Sequence, residues 1–294
     1  MAYKDNWLQW NGDKLQFKKT VTWPIKSYYK ELLSNAAGIR DAFSGPIDLF
    51  FSGGVSSQAI LNTYIQLGIP VNVYIIKYNN NYNQYDYAVA TKICSELGVS
   101  YTTIDINLEH FFENEAINIF NISQCIDTKK LILLKMLEKT DGTPIIGGKE
   151  PYIFRVNNKS HVEKSEWLLK ITANDLVMDV YSNKINRQAV TNWFFWSPFV
   201  PVAMLNHPTV ELLLTDIDPS KASLASSRGA IYKQYWPNII NRISQTGFEN
   251  IKDEMMSLYP PCMIDFYLTN IHKIVKPVKP FTFTKELFVN NLLV

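Results

Sequence analysis

Residues 47–58 read IDLFFSGGVSSQ: Ile47-Asp48-Leu49-Phe50-Phe51, then Ser52-Gly53-Gly54-Val55-Ser56-Ser57, then Gln58. A short apolar run of buried-strand type leaves through two glycines and three serines into a segment of helical spacing. Such a passage is either an ordinary tight turn or a cradle of backbone N–H groups for an anion. The second reading has a physical basis. Glycines permit close backbone approach and unusual φ values. The amides converge on the anion, and the helix start adds partial positive charge. Ser52, Ser56 and Ser57 add hydroxyl donors. The string is not a Walker A loop, because no Gly-Lys-Ser/Thr follows, nor is it a GxGxxG fingerprint.

Working outward, apolar residues at helical spacing fill 25–43 (Tyr28, Tyr29, Leu32, Leu33, Ala36, Ile39), and Pro46 breaks the chain before the strand. Ala59, Ile60, Leu61, Tyr64, Ile65 and Leu67 predict a helix ended by Gly68. Val71–Ile76 is a second β-rich run. Gln84–Leu97 is amphipathic, with Tyr85, Val89, Ala90, Ile93, Cys94 and Leu97 on one face. Val99–Ile106 is a third strand, Asp127 an N-cap for a helix through Leu137, and Thr143–Ile146 a fourth strand closing on Gly147-Gly148. Alternating strands and helices imply parallel pairing with right-handed crossovers, an α/β doubly wound parallel sheet. Ligands in such sheets bind beyond the carboxyl ends of the strands. Residues 52–57 and Gly147-Gly148 should therefore face one crevice.

The flanks read differently. Residues 1–25 alternate weakly around Asn11-Gly12 and suggest a hairpin-like segment. Residues 26–154 form the expected nucleotide-binding core. Residues 155–294 form a mixed, partly helical extension that would shape a substrate pocket. Within it, Trp167–Ile171 and Leu176–Tyr181 are expected as strands of a hairpin, and the aromatic cluster Trp193–Phe199 as core.

Composition bounds the function. With 47% apolar and 19% charged residues, 13% aromatics and a net charge of +2, the 294-residue chain is a globular protein without a strong charge bias. No Lys/Arg run makes nucleic acid a principal ligand. No segment has the length of a membrane span or a signal-peptide core. The three cysteines form no CxxC pair, and the four histidines have no metal-ligand spacing. A cytoplasmic setting is expected.

The motif resembles the SGGxDS signature of the PP-loop ATP pyrophosphatase superfamily, with the closest likeness to the synthetase domain of asparagine synthetases and their short phage-type relatives. Further segments resemble the same family in the same order: YDYAVA at 85–90 with ICSELGVSYTTIDI after it, PIIGGKEPY at 144–152, SPF at 197–199, and WPNIINR then QTGF at 236–248. The resemblance implies an adenine nucleotide alpha-hydrolase-like fold, ATP and Mg²⁺ as cofactors, and an adenylating synthetase. Such an enzyme activates a carboxylate, with aspartate the namesake candidate, as acyl-AMP with release of pyrophosphate, then forms an amide. If the chain is phage-encoded, the compartment is the host cytoplasm.

By the same resemblance, Phe51, Ser52, Gly53, Gly54, Val55, Ser56 and Ser57 would hold the phosphates. Ile76, Tyr78, Gly147 and Gly148 would line the adenine. Glu150 is the candidate metal ligand, with Lys149, Lys233 and Arg242 as candidate catalytic cations. Two departures matter. The motif aspartate is Ser56, which removes a carboxylate of the kind Mg²⁺ prefers. The basic positions before Gly247-Phe248 are Ile243 and Ser244. The segment ahead of the core is too short for a glutaminase domain, so free ammonia, another amine or a partner's ammonia is the expected amine. Two alternatives stay open: a nucleobase or tRNA modification enzyme of the same superfamily, and a nucleotide-binding protein that has lost turnover.

Overall fold

The computed structural model describes residues 8–11, 14–17, 25–147, 153–155, 166–169, 173–210, 224–241, 247–275 and 281–284. A hairpin of β1 (Leu8–Asn11) and β2 (Lys14–Phe17) precedes the α/β core. Helix α1 (Tyr28–Ala42) buries Tyr28, Leu32, Ala36 and Ile39, the stripe its spacing predicts. Next come β3 (Ile47–Phe50), α2 (Val55–Gln66), β4 (Asn72–Tyr78), α3 (Gln84–Glu96) and β5 (Tyr101–Ile106). A helical run follows: α4 (Leu108–His110), a π-turn at Phe111–Glu115, and α5 (Ala116–Ser123). Then α6 (Thr128–Met136) leads into β6 (Thr143–Ile146).

The four core strands are parallel, in the spatial order β5-β4-β3-β6. The chain steps outward from β3 to β4 to β5, then returns past β3 to lay down β6. The topological switch point therefore lies between β3 and β6, beside the glycine turn that follows Phe51. This is the doubly wound α/β arrangement expected from the alternation of strands and helices.

The two faces of the sheet follow the period of two. Leu49, Phe51, Val73, Ile75 and Ile145 pack into a cluster with α1, α2 and α3. Phe50, Ile106 and Ile146 pack into a second cluster with the helical run after β5, joined at its margin by Tyr74 and Ile76. Fully buried Asp48 breaks the apolar pattern of β3. Its carboxylate accepts from Asn72 Nδ2 (2.8 Å) and from the Gly142 N–H (2.7 Å), tying together three segments near the amino ends of the strands. Asp127 caps α6 as its residue type predicts, accepting from the Lys130 N–H.

Beyond the core lie β7 (Ile153–Arg155), β8 (Glu166–Leu169), α7 (Ala173–Lys184), α8 (Phe199–Leu205), α9 (Leu224–Tyr235), α10 (Phe248–Ser257), α11 (Pro261–Val275) and β9 (Phe281–Thr284). Strand β8 sits between β7 and β9, antiparallel to both. The expected second strand at 176–181 is instead part of α7. Val177, Met178 and Tyr181 are buried and Val180 is exposed, which is helical rather than alternating periodicity. On α3, Tyr85 is exposed rather than buried, and the inward face is Asp86, Ala90, Ile93 and Cys94. The Trp193–Trp196 cluster is core: Trp193 is fully buried, its indole N–H donates to Tyr64 Oη (3.2 Å), and its carbonyl accepts from Asn35 Nδ2 (2.9 Å). No described helix is long and apolar enough to cross a membrane.

Candidate functional site

The turn after β3 has a specific geometry. The Phe51 N–H still pairs with the Tyr74 carbonyl (2.9 Å), so sheet pairing extends one residue past β3. Gly53 then adopts φ +70°, and a Cβ there would sit 3.0 Å from Ala90 Cα on α3. A residue with a side chain would face both an unfavourable φ and a backbone collision. Gly54 is the N-cap of α2, at φ −69° and ψ 157°. Its own N–H lies 3.4 Å from Ser52 Oγ, while Ser57 Oγ donates to the Gly54 carbonyl (2.8 Å).

Buried Gln58 fixes this turn against the later part of the chain. Its Nε2 donates to the carbonyls of Gly53 and Ile240 (2.9 Å each), and its Oε1 accepts from the Ile240 N–H (2.9 Å). The strand-to-helix turn is therefore rigid, and α2 aims its amino end at the carboxyl edge of the sheet.

A cavity of about 200 Å³ opens beside it. Its floor is the end of β3 (Phe50), Phe51 and Ser52 just after it, and Tyr74, Ile75, Ile76 and Tyr78 of β4. Its walls come from α3 and the turn before it, from Lys129 and Leu133 of α6, and from Phe248 at the start of α10. Ligand pockets usually run from about 300 to 1,000 Å³, so this space suits one ring system with the rest of a ligand outside. Aromatic rings dominate the lining. Phe248 meets Tyr78 edge-on at 5.3 Å, and Phe50 meets Tyr74 edge-on at 6.3 Å. Burial, and then the nearby Asp86 carboxylate, push the Tyr78 phenol far above its ordinary value, so it stays protonated at any working pH.

Of the residues singled out from the sequence, Phe51, Ser52, Ile76 and Tyr78 line this cavity together. Gly53, Gly54, Val55, Ser56 and Ser57 form the adjoining turn and first helical residues. Gly147 follows β6, where a Cβ would approach Ile60 Cδ1 of α2 at 3.1 Å; it does not line the cavity. Lys233 is exposed near the end of α9 and is not among the cavity residues. Gly148, Lys149, Glu150 and Arg242 lie outside the described residues. Among those that are described, no group of three or more His, Cys, Asp or Glu side chains comes together as a metal site.

Four lining residues carry polar groups that were not singled out from the sequence. Asp86 is buried at 9% exposure, although a first-turn carboxylate is usually solvated. Lys129 comes from the first turn of α6, and Tyr74 from β4. Asn83 lies in the turn before α3. The one local signal for Asn83 was the Asn-rich stretch Asn79–Asn83 directly after a predicted strand. Nothing in the sequence placed Lys129 in the same cavity lining as Ser52.

No family model matches the sequence, and no curated protein sequence matches it. Among solved structures, a 17% identical NMN synthetase from Francisella tularensis aligns over 44% of this chain and 56% of its own, at TM-score 0.31. The NH3-dependent NAD synthetase from Campylobacter jejuni, in complex with the nitrate ion, is 14% identical over 74% of this chain and 98% of its own, at TM-score 0.30. The glutamine-dependent NAD+ synthetase from Acinetobacter baumannii, in complex with ADP, is 14% identical over 80% of this chain and 50% of its own, at TM-score 0.31. The chain spans little more than half the length of the first of these.

Proposed function

We propose that the chain is an ATP-dependent adenylating synthetase of the PP-loop type, asparagine synthetase-like in its chemistry. One observation carries the reading. The glycine turn that delivers the amino end of α2 and the aromatic cavity share the same strand end, with Ser52 belonging to both. An anion on the turn and a planar ring in the cavity are the two ends of one nucleotide.

On this reading the adenine lies against Ile76 and Tyr78, under Phe248. The β- and γ-phosphates lie over residues 52–57, where amides and the helix dipole favour negative charge. A carboxylate oxygen of the substrate attacks the α-phosphorus, and the bond from that phosphorus to the bridging oxygen breaks. Pyrophosphate leaves with the electron pair, and the acyl-adenylate forms. An amine then attacks the acyl carbon, loses a proton, and expels AMP. Charge held at the departing pyrophosphate and correct placement of the two reactants supply most of the acceleration. Lys149, Lys233 and Arg242 are the candidate cations for that charge, and Gly147-Gly148 the candidate second wall of the nucleotide crevice.

Magnesium fits this site only in part. Mg²⁺ is held by one or two carboxylates plus phosphate oxygens. Asp86 is the one described carboxylate in the cavity lining, Ser56 stands where a motif carboxylate would be, and Glu150 is the remaining candidate ligand. When bound, the ion would neutralise charge on the phosphates.

Thiol chemistry at Cys94 or Cys125, as in a tRNA-thiolating enzyme, is disfavoured. Burial pushes the Cys94 thiol up to about 11 and the Cys125 thiol up to about 12, which keeps both protonated. Ser56 is the observation that favours the other alternative, a nucleotide-binding protein without turnover.

AMP and pyrophosphate formation from ATP, measured across the amino acids and across nucleosides with ammonia present, tests the proposal. Release stimulated by one carboxylate is expected, and Ser56→Asp should raise it by an order of magnitude or more. ATP binding with no release from either protein would favour the binding module. Release that is the same with every compound would remove the support for a synthetase.

A further inference from the structure

Strand β4 outruns β3. Their pairing ends at Phe50 with Tyr74 and the single further bond from the Phe51 N–H to the Tyr74 carbonyl, yet β4 continues to Tyr78. Alternate residues of a parallel strand direct their N–H and C=O to the same neighbour. Ile76 and Tyr78 therefore present to the cavity the edge that Tyr74 presents to β3.

That edge is occupied from within the chain. The Tyr78 N–H donates to Asn83 Oδ1 (2.8 Å), and Asn83 Nδ2 donates to the Ile76 carbonyl (2.9 Å). Asn83 makes these bonds instead of the ones its position favours. It is the N-cap of α3, and Asn is among the best N-cap residues, but its side chain accepts nothing from the amides of α3. Asn107, the N-cap of α4, does cap in the ordinary way, accepting from the His110 N–H. Asn83 is also 7% exposed and part of the cavity wall.

A carboxamide offers one N–H beside one acceptor oxygen in a plane. The amino group of a 6-aminopurine beside a ring nitrogen offers the same pair. We propose that Asn83 competes with the base for the site: its carboxamide holds the donor–acceptor edge of β4, and a base takes that edge only by displacing it and offering the same pair. The inference rests on the nucleotide reading above and adds a competitor to it. A purine without the amino group would evict Asn83 and leave the part-buried Ile76 carbonyl without that donor, which carries a cost. The exchange also sets affinity, because part of the binding free energy goes into releasing a side chain that is already well bonded.

The test is titration of ATP and of purine riboside triphosphate into the wild-type protein, Asn83→Ala and Asn83→Ser, with thermal unfolding of each protein with and without ATP. Serine keeps a good N-cap and guards against loss of α3. Wild type should prefer ATP by about tenfold, the lower end of the range for an unsatisfied polar group, because the Ile76 carbonyl is only part-buried. Both variants should unfold at lower temperature alone, yet bind ATP about tenfold more tightly, with a larger stabilisation by ATP. Unchanged or weaker ATP binding by folded variants overturns the inference, because Asn83 would then hold the site rather than compete for it. Equal affinity of wild type for the two triphosphates also overturns it. A folded wild-type protein that binds neither triphosphate overturns the nucleotide reading itself, a result the variants do not enter.

Discussion

Replacing Gly53 with alanine separates two costs that the structure places on one residue. At φ +70° an L-residue is strained by about 1–2 kcal/mol. The new Cβ would also lie 3.0, 3.1 and 3.2 Å from Ala90 Cα, N and Cβ, which are backbone and near-backbone atoms of α3 that have little room to yield. Overpacking of this kind costs about 1–3 kcal/mol, so Gly53→Ala should lose about 2–5 kcal/mol in all. Gly68 provides the control. It has φ +64° and nothing within 4 Å of its Cβ position, so Gly68→Ala should lose only the first, about 1–2 kcal/mol. Urea unfolding followed by far-UV circular dichroism, with the slope of the transition checked for constancy, gives the two differences. Because the Gly53 variant must push the turn away from α3, it should also weaken ATP binding, whereas the Gly68 variant should not. Equal losses from the two substitutions would refute the claim that the turn is wedged against Ala90. A Gly53 variant as stable as wild type would refute it more directly.

Three further outcomes follow from particular contacts. Gln58→Leu removes three buried or part-buried hydrogen bonds, so it should cost about 2–5 kcal/mol and loosen the chain near Ile240, read as faster amide exchange at Ile240. With dithionitrobenzoate at pH 8, native protein should show one fast thiol, Cys262, which is exposed, while Cys94 and Cys125 should react only on unfolding; three fast thiols would contradict the packing. Hydrogen bonds from Asn79, from its own backbone N–H, and from Tyr82 and Asn80 hold the Glu109 carboxyl below its ordinary value of 4.5 against a smaller opposing effect of burial. Its contribution to the β4–α3 turn is therefore complete above that value and disappears as pH falls through the lowered one, so Glu109→Gln should flatten the acid limb of a stability–pH profile.

The site was legible where chemistry and periodicity coincide within a few residues. Ile47–Phe51, the glycine pair and the spacing after Ser57 mark a buried strand, a turn and a helix. The alternation of strands and helices implies a parallel sheet with crossovers, while the order β5-β4-β3-β6 is a tertiary outcome. Segments 176–181 and 281–284 show where this stops. In Leu176–Tyr181, five apolar residues in six satisfy a period of two nearly as well as one of 3.6, and only the exposure of Val180 between buried Met178 and Tyr181 decides it. The true partner of β8 on that side is β9, more than a hundred residues further on, and no local pattern specifies such a pairing. The same holds inside the cavity. Phe51 and Tyr78 were placed by the family resemblance at and just after strand ends, but Lys129 and Phe248 arrive from α6 and α10, whose packing over the sheet is a tertiary outcome. That Asn83 was not singled out has a different reason. Its residue type predicts a helix cap, and the unpaired end of β4 draws its side chain away.

The central claim is that residues 51–57 and the neighbouring cavity hold the two ends of one nucleotide. A crystal structure of the protein with a non-hydrolysable ATP analogue tests it most directly. The account predicts phosphate oxygens within hydrogen-bond distance of backbone amides between Gly54 and Ser57, and the base against Ile76 and Tyr78 beneath Phe248. An analogue seated elsewhere on the molecule, with the amino end of α2 bare and the cavity empty, would contradict it.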